Sequence, residues 1–118
     1  IGAGVAEKLA RDGAKLVITY TSRPEAAEAV LAKLSGSGHL AMALDVKSED
    51  SVDVAFKAII EKMGKLDGLV NNAGVTKDQL LLRMKPEDFD QVVQTNLRGT
   101  FLCTRAATKL MLKARQGS

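Results

Sequence analysis

Residues 71–74, Asn-Asn-Ala-Gly, carry the strongest chemical signal in this sequence. They directly follow the short apolar run at 66–70, so we expect them at the carboxyl edge of a sheet, where open α/β folds bind ligands. Paired amides, a methyl group and a glycine would leave backbone and amide groups accessible there. Alone, the tetrapeptide is weak support for a binding site, and three other groups of residues add to it.

Asp45 and Val46 end the preceding predicted strand. A carboxylate can accept a hydrogen bond from an adenine amino group, and a valine can pack on the ring; capping of the next turn is an equal alternative. Asn96 lies on the apolar stripe of a long predicted helix. A buried amide on that stripe must find hydrogen-bond partners, so Asn96 is either a functional residue or a structural one.

Ile1 and Gly2 stand at the head of a predicted helix, where free N–H groups would attract a pyrophosphate. An ordinary helix start explains these two residues equally well. Thr21, Ser22 and Arg23 follow a predicted strand and include no acid. Hydroxyls with a guanidinium suit the 2′-phosphate of NADP, whereas an acid would suit the free hydroxyl of NAD. A capping turn is the alternative for this segment.

Strands and helices alternate along the chain. The patterns predict helices over 3–12, 24–34, 49–63 and 86–113, strands over 15–20, 40–44 and 68–70, and an exposed loop over 75–85. This order predicts an α/β fold, a three-layer Rossmann-type doubly wound parallel sheet. It begins with a helix and ends without a strand, so we expect residues 1–118 to form a single partial domain, truncated at both ends, without its first strand and its C-terminal catalytic part.

Composition narrows the class of protein. The formal charge of +3 comes from scattered single lysines and arginines, and aromatic residues are 3% of the chain, so we expect no nucleic-acid partner. No apolar run approaches the roughly 20 residues that span a bilayer, and no signal peptide is expected. The single cysteine, Cys103, reads as a small buried hydrophobe, and a cytoplasmic location is the simplest setting. We expect no metal site.

Taken in order, these segments resemble the short-chain dehydrogenase/reductase superfamily. Residues 75–84 resemble more narrowly its 3-oxoacyl-[acyl-carrier-protein] reductases. The resemblance implies that Ile1 and Gly2 belong to the phosphate loop, that residues 21–23 meet the 2′-phosphate of NADP, and that Asp45 and Val46 flank the adenine. It also implies that Asn72, Ala73 and Gly74 line the ribose and diphosphate.

The same resemblance implies roles outside the cofactor cradle. Asn96 would be the asparagine of the Asn-Ser-Tyr-Lys tetrad, whose backbone carbonyl holds a water in the proton relay. Arg115 would be a contact for acyl carrier protein, although a cation complementing the helix C-terminus is at least as good an explanation. The 86–113 helix would join copies of the protein into a homo-oligomer, since in the family this helix packs against its twin in dimers and tetramers.

One departure limits this reading. The family's general acid is a tyrosine followed four residues later by a lysine, but the only tyrosine here is Tyr20, and Pro24 occupies the fourth position after it. We therefore expect the chain to be a fragment of an NADPH-dependent reductase that acts on the 3-keto group of acyl thioesters. We expect this fragment to be inactive by itself. Another short-chain alcohol/ketone oxidoreductase, or a non-catalytic dinucleotide-binding module, is the alternative.

Overall fold

The computed structural model describes all residues from 1 to 118. The chain forms two compact units, Ile1–Asp45 and Val46–Ser118. None of the helices combines the length and the apolar character that crossing a membrane requires.

The first unit contains two helices and two strands, α1 (Gly2–Arg11), β1 (Val17–Tyr20), α2 (Pro24–Leu31) and β2 (Leu40–Ala43). The strands pair in parallel, with Val17 opposite Leu40 and Tyr20 opposite Ala43. Pro24 at the first turn of α2 supplies a helical φ and needs no N–H partner there. Two parallel strands joined through a helix form the βαβ unit of an α/β Rossmann-type fold, so the predicted fold class is confirmed.

The core of this unit lies between α1 and β1. Ala6 and Ala10 of α1 pack with Leu34, and Leu16 and Ile18 lie against them. The small alanine side chains let the helix approach its neighbours closely. The near-continuous apolar runs at 15–20 and 40–44 predict strands that are covered on both faces, but in the structure both strands are only half-buried.

His39 ties the loop before β2 to the start of β1. Its Nδ1 accepts the Leu16 N–H at 3.1 Å, and its Nε2 lies 2.8 Å from the Ser35 carbonyl. Accepting with one ring nitrogen and donating with the other requires a neutral imidazole. The sequence pattern gave no indication of this structural role.

The second unit begins with α3 (Glu49–Met63), whose predicted bounds are confirmed. The Ser48 hydroxyl accepts the Ser51 N–H at 3.2 Å and caps the helix, and Gly64 ends it at a φ of 79°, which favours glycine. Its buried face comprises Val52, Ala55, Phe56 and Ile59.

The predicted third strand at 68–70 is wrong. The sheet contains only β1 and β2. The Leu69 N–H does bond to the Ser118 carbonyl at 2.9 Å, and the Ser118 N–H to the Asp67 carbonyl at 3.0 Å. These two bonds have the parallel pattern, but a single pair of bonds does not make a ladder. The following loop contains a short 3₁₀ turn, Leu81–Arg83, and its leucines are exposed as predicted.

The long predicted helix forms, but with an interruption. It consists of α4 (Pro86–Val92), a π-helical segment (Val93–Gly99) and α5 (Thr100–Ala114). The sequence patterns predicted one regular helix, because a π-helical turn with i→i+5 hydrogen bonds has no residue signature of its own.

The buried face of this helix also differs from the predicted apolar stripe. Phe89, Leu97 and Phe101 are 58%, 68% and 56% exposed. The buried residues of these segments are instead Thr95, Gly99, Leu102, Cys103 and Ala107. The wider π-helical turn changes which residues share a face, so a 3.6-residue period cannot be carried through it.

Candidate cofactor-binding site

The turn after β1 holds three predicted site residues, Thr21, Ser22 and Arg23, and all are exposed. The Thr21 hydroxyl donates to the Leu44 carbonyl at 3.4 Å, so this turn is tied to the residue before Asp45. A hydroxyl that donates in this way keeps its lone pairs for other donors. Asp45 itself is half-buried.

Arg23 has an acidic neighbour, Glu25, in the first turn of α2. Its Nε lies 3.4 Å from Oε1 of Glu25, and both side chains are largely exposed. A pair this exposed contributes little to stability. The guanidinium is therefore accessible to an anion, although Glu25 competes for it.

Ile1 and Gly2 form the start of α1. Ile1 is exposed, Gly2 is half-buried, and the first turn of α1 contains no acidic residue and no side-chain cap. The positive end of the helix dipole is therefore not neutralised by the first turn, and an anionic group would be favoured there.

In the second unit, Asn72, Ala73 and Gly74 are all exposed and lie outside any helix or strand. A Cβ added at Gly74 would lie 3.3 Å from Oδ1 of Asn96. Glycine at this position lets the chain pass close to the Asn96 amide. The structure therefore places the predicted asparagine next to the predicted cradle.

Asn96 holds the residue that follows this cradle. Its Oδ1 accepts the Val75 N–H at 2.8 Å, and its Nδ2 donates to the Val75 carbonyl at 2.9 Å. One amide thus satisfies both polar groups of a single backbone residue, as a neighbouring strand would. The prediction that Asn96 is buried is wrong, since the residue is exposed. The prediction that its amide finds partners is confirmed.

The backbone carbonyl of Asn96 accepts the Thr100 hydroxyl at 2.7 Å. A carbonyl oxygen has two lone pairs, so one acceptor position is left for a further donor such as water. Asn96 lies inside the π-helical segment, and such segments are frequent at functional sites.

Three contacts of the second unit were missed by sequence reasoning. Nδ2 of Asn71 donates to Oγ1 of Thr104 at 3.0 Å. Val46 lies against Gly99, and Nη1 of Arg98 donates to the Lys47 carbonyl at 2.6 Å. Each joins residues more than 30 positions apart, so no local pattern could have indicated them.

Cys103 and Arg115 lie apart from these contacts. Cys103 is buried, and burial raises the pKa of its thiol, so the thiolate needed for nucleophilic attack is disfavoured. Arg115 is exposed and follows the last residue of α5 with a φ of 54°. No group of three or more His, Cys, Asp or Glu side chains is arranged to hold a metal ion.

Comparison with known proteins defines the class of protein. The family described as short chain dehydrogenase matches residues 1–118. The chain therefore belongs to the short-chain dehydrogenase family, in agreement with the resemblance seen in its motifs.

Individual relatives carry a more specific name. The chain is 46% identical over 119 residues to a 3-oxoacyl-[acyl-carrier-protein] reductase of Synechocystis sp., covering 99% of this chain and 48% of that protein. It is 40% identical over 120 residues to a Staphylococcus aureus protein of the same name, covering 100% of this chain and 49% of the relative. A Staphylococcus epidermidis relative is 38% identical over the same shares. The chain spans about half the length of the curated relatives it matches.

Proposed function

We propose that this chain is the cofactor-binding part of an NADPH-dependent reductase that reduces the 3-keto group of acyl thioesters on acyl carrier protein in fatty-acid biosynthesis. The observation that carries the proposal is the similarity of the whole chain, at 38–46% identity, to proteins named 3-oxoacyl-[acyl-carrier-protein] reductase. A cytoplasmic location belongs to the same proposal.

The residues of the first unit fit the phosphate groups of NADP. Thr21, Ser22 and Arg23 offer two hydroxyls and an accessible guanidinium with no acid in the turn itself, which suits a 2′-phosphate. Ile1 and Gly2 head a helix without acids in its first turn, which suits a pyrophosphate. The Asp45 carboxylate would accept a hydrogen bond from the adenine amino group.

The residues of the second unit fit the adenine face and the ribose. Val46 would pack on the adenine, while Asn72, Ala73 and Gly74 would line the ribose and diphosphate with exposed backbone and amide groups. The Asn96 amide fixes Val75 at both its N–H and its carbonyl. The cradle is thus held in shape before the cofactor binds, which lowers the entropy lost on binding.

The chemistry needs a hydride and a proton. The bound nicotinamide cofactor supplies the hydride to the carbonyl carbon of the substrate. Asn96 would hold a relay water at its carbonyl oxygen, beside the Thr100 hydroxyl. The carbonyl oxygen of the substrate must take a proton, and the chain contains no tyrosine with a lysine four residues later. Residues 1–118 alone should therefore not turn over.

Recognition of acyl carrier protein would involve Arg115. This side chain is exposed just beyond the C-terminus of α5, where a cation can reach an acidic partner protein. A homo-oligomer would form through the helix from 86 to 113, because Phe89, Leu97 and Phe101 present a large apolar area to solvent. Sedimentation of the complete protein as a stable monomer would contradict this part of the proposal.

The test of the function is a reduction assay on the complete protein. A 3-oxoacyl thioester should be reduced with NADPH much faster than with NADH, and residues 1–118 expressed alone should show no turnover. Binding of NADPH without reduction of any ketone would instead identify a dinucleotide-binding module. Turnover by residues 1–118 alone would overturn the assignment of the proton donor to residues outside this chain.

A further inference from the structure

Gly99 lies unusually close to Val46. A Cβ added at Gly99 would lie 2.7 Å from Cγ2 and 3.0 Å from Cβ of Val46. Real side chains do not tolerate the shorter distance, so any larger residue at position 99 would displace Val46 or the helix. Gly99 is buried, and no φ requirement explains a glycine there, since the helical backbone suits any residue. Its absent side chain is what the contact with Val46 needs.

Arg98 contacts Lys47, the residue that follows Val46. Its Nη1 donates to the Lys47 carbonyl at 2.6 Å, a short charge-assisted hydrogen bond. Two consecutive helical residues therefore contact two consecutive residues of the turn between β2 and α3. Gly99 lets Val46 lie close to the π-helical segment. Arg98 fixes the orientation of the Lys47 carbonyl, one residue after Val46.

The π-helical segment thus contacts two separate parts of the second unit. Asn96 binds the backbone of Val75, next to the cradle at 72–74, while Arg98 and Gly99 bind Val46 and Lys47. All three residues belong to the same π-helical segment, Val93–Gly99.

We propose that Arg98 and Gly99 are positioning residues for adenine binding, acting through Val46. This inference rests on the proposed function, because it assumes that Val46 packs on the adenine of a dinucleotide. Neither residue touches the reacting atoms. They hold the valine in place so that the adenine surface is formed before the cofactor arrives.

The test compares ligands with and without adenine on the complete protein. The probes are NADPH, adenosine 2′,5′-bisphosphate, and reduced nicotinamide mononucleotide, which lacks the adenosine half. For Arg98→Ala, loss of one hydrogen bond should weaken binding of the first two about three- to tenfold. The rate at saturating NADPH, and the rate with the mononucleotide, should stay close to those of the unmodified protein.

Three further variants make the result specific. Gly99→Ala should weaken the two adenine-containing ligands more strongly than Arg98→Ala. If Gly99→Ala does not fold, Arg98→Ala decides alone. Arg98→Lys should recover part of the affinity, because a lysine can still donate to the Lys47 carbonyl. Gln94→Ala, an exposed position in the same π-helical segment, is the matched control and should bind all probes normally.

Failure of the inference is distinguishable from failure of the proposed function. If the unmodified protein binds neither NADPH nor the bisphosphate, the proposed function is wrong. If it binds both, but Arg98→Ala binds them unchanged or loses the mononucleotide reaction equally, then Arg98 does not position Val46 for adenine.

Discussion

Two regions that the proposed function assigns to cofactor binding are built in opposite ways. The turn at 21–23 is exposed, and its two hydrogen bonds are both 3.4 Å long. Asn96 is also exposed, but its three bonds to Val75 and Thr100 measure 2.7–2.9 Å. The first region offers charge on an exposed side chain, whereas the second fixes a backbone by hydrogen bonds. We infer that the turn at 21–23 selects NADP over NAD, while Asn96 sets the shape of the cradle at 72–74.

Asn96→Ala should have the largest effect. Removing the amide breaks both bonds to Val75, which should lower the free energy of unfolding by about 1–3 kcal/mol. Binding of NADPH and NADH should weaken together, because the shape of the cradle serves both. Urea unfolding and dinucleotide titration measure the two effects. Gln94→Ala removes an amide from the same segment and is the control; equal losses in both variants would contradict a special role for Asn96.

Arg23→Ala should change cofactor selection without changing stability. Loss of a charge-assisted contact to the 2′-phosphate should reduce the preference for NADPH over NADH about tenfold. The ratio of the two dissociation constants measures this. Arg11→Ala removes an exposed arginine from the end of α1 in the same unit and should leave the ratio unchanged. A loss of affinity for both cofactors would mean that the turn at 21–23 acts through shape.

Cys103 supplies a pH-dependent check on the helix that carries Asn96. Burial raises the pKa of its thiol, so the folded protein keeps this proton to a higher pH than the unfolded chain, whose thiol has the ordinary pKa value. Stability should therefore fall as the pH rises above that value, and this group should have no effect below it. Urea unfolding at neutral and alkaline pH measures the fall. Cys103→Ala should show less of it, and identical pH profiles would contradict a buried thiol.

Glu25→Gln should have the smallest effect. Neutralising the carboxylate removes the competitor for Arg23, so binding of NADPH should tighten about twofold, in line with the small energies of exposed ion pairs. Titration with NADPH and NADH measures the two affinities. The affinity for NADH should not change. Glu28→Gln, on the same helix, is the matched control. Weaker NADPH binding in Glu25→Gln would show that Glu25 orients Arg23 rather than competing for it.

Local patterns predicted the helices well. Ser48 and Gly64 marked the ends of α3, and Pro24 and Pro86 marked the starts of two other helices. Caps and prolines act within one helical turn, so the residues themselves contain the information. The family was also readable, because its motifs are short runs of specific residues.

Long-range features were not predictable in this way. The segment 68–70 has the composition of a strand, but its backbone pairs only with Ser118. A strand requires a ladder of hydrogen bonds to a neighbouring strand. Part of the predicted apolar stripe of the long helix, at Phe89, Leu97 and Phe101, is exposed. Asn96 was also expected to be buried, because the prediction assumed a regular helical period.

The sequence by itself determined the α/β fold class, the bounds of α3 and the membership of the short-chain dehydrogenase family, since these depend on residue types at short spacing. Only the tertiary structure decided what Asn96, Arg98 and Gly99 hold. Their partners, Val75, Lys47 and Val46, lie 21 to 53 positions away. Contacts over such separations depend on how distant segments pack together in the folded chain, which local helix and strand preferences do not specify.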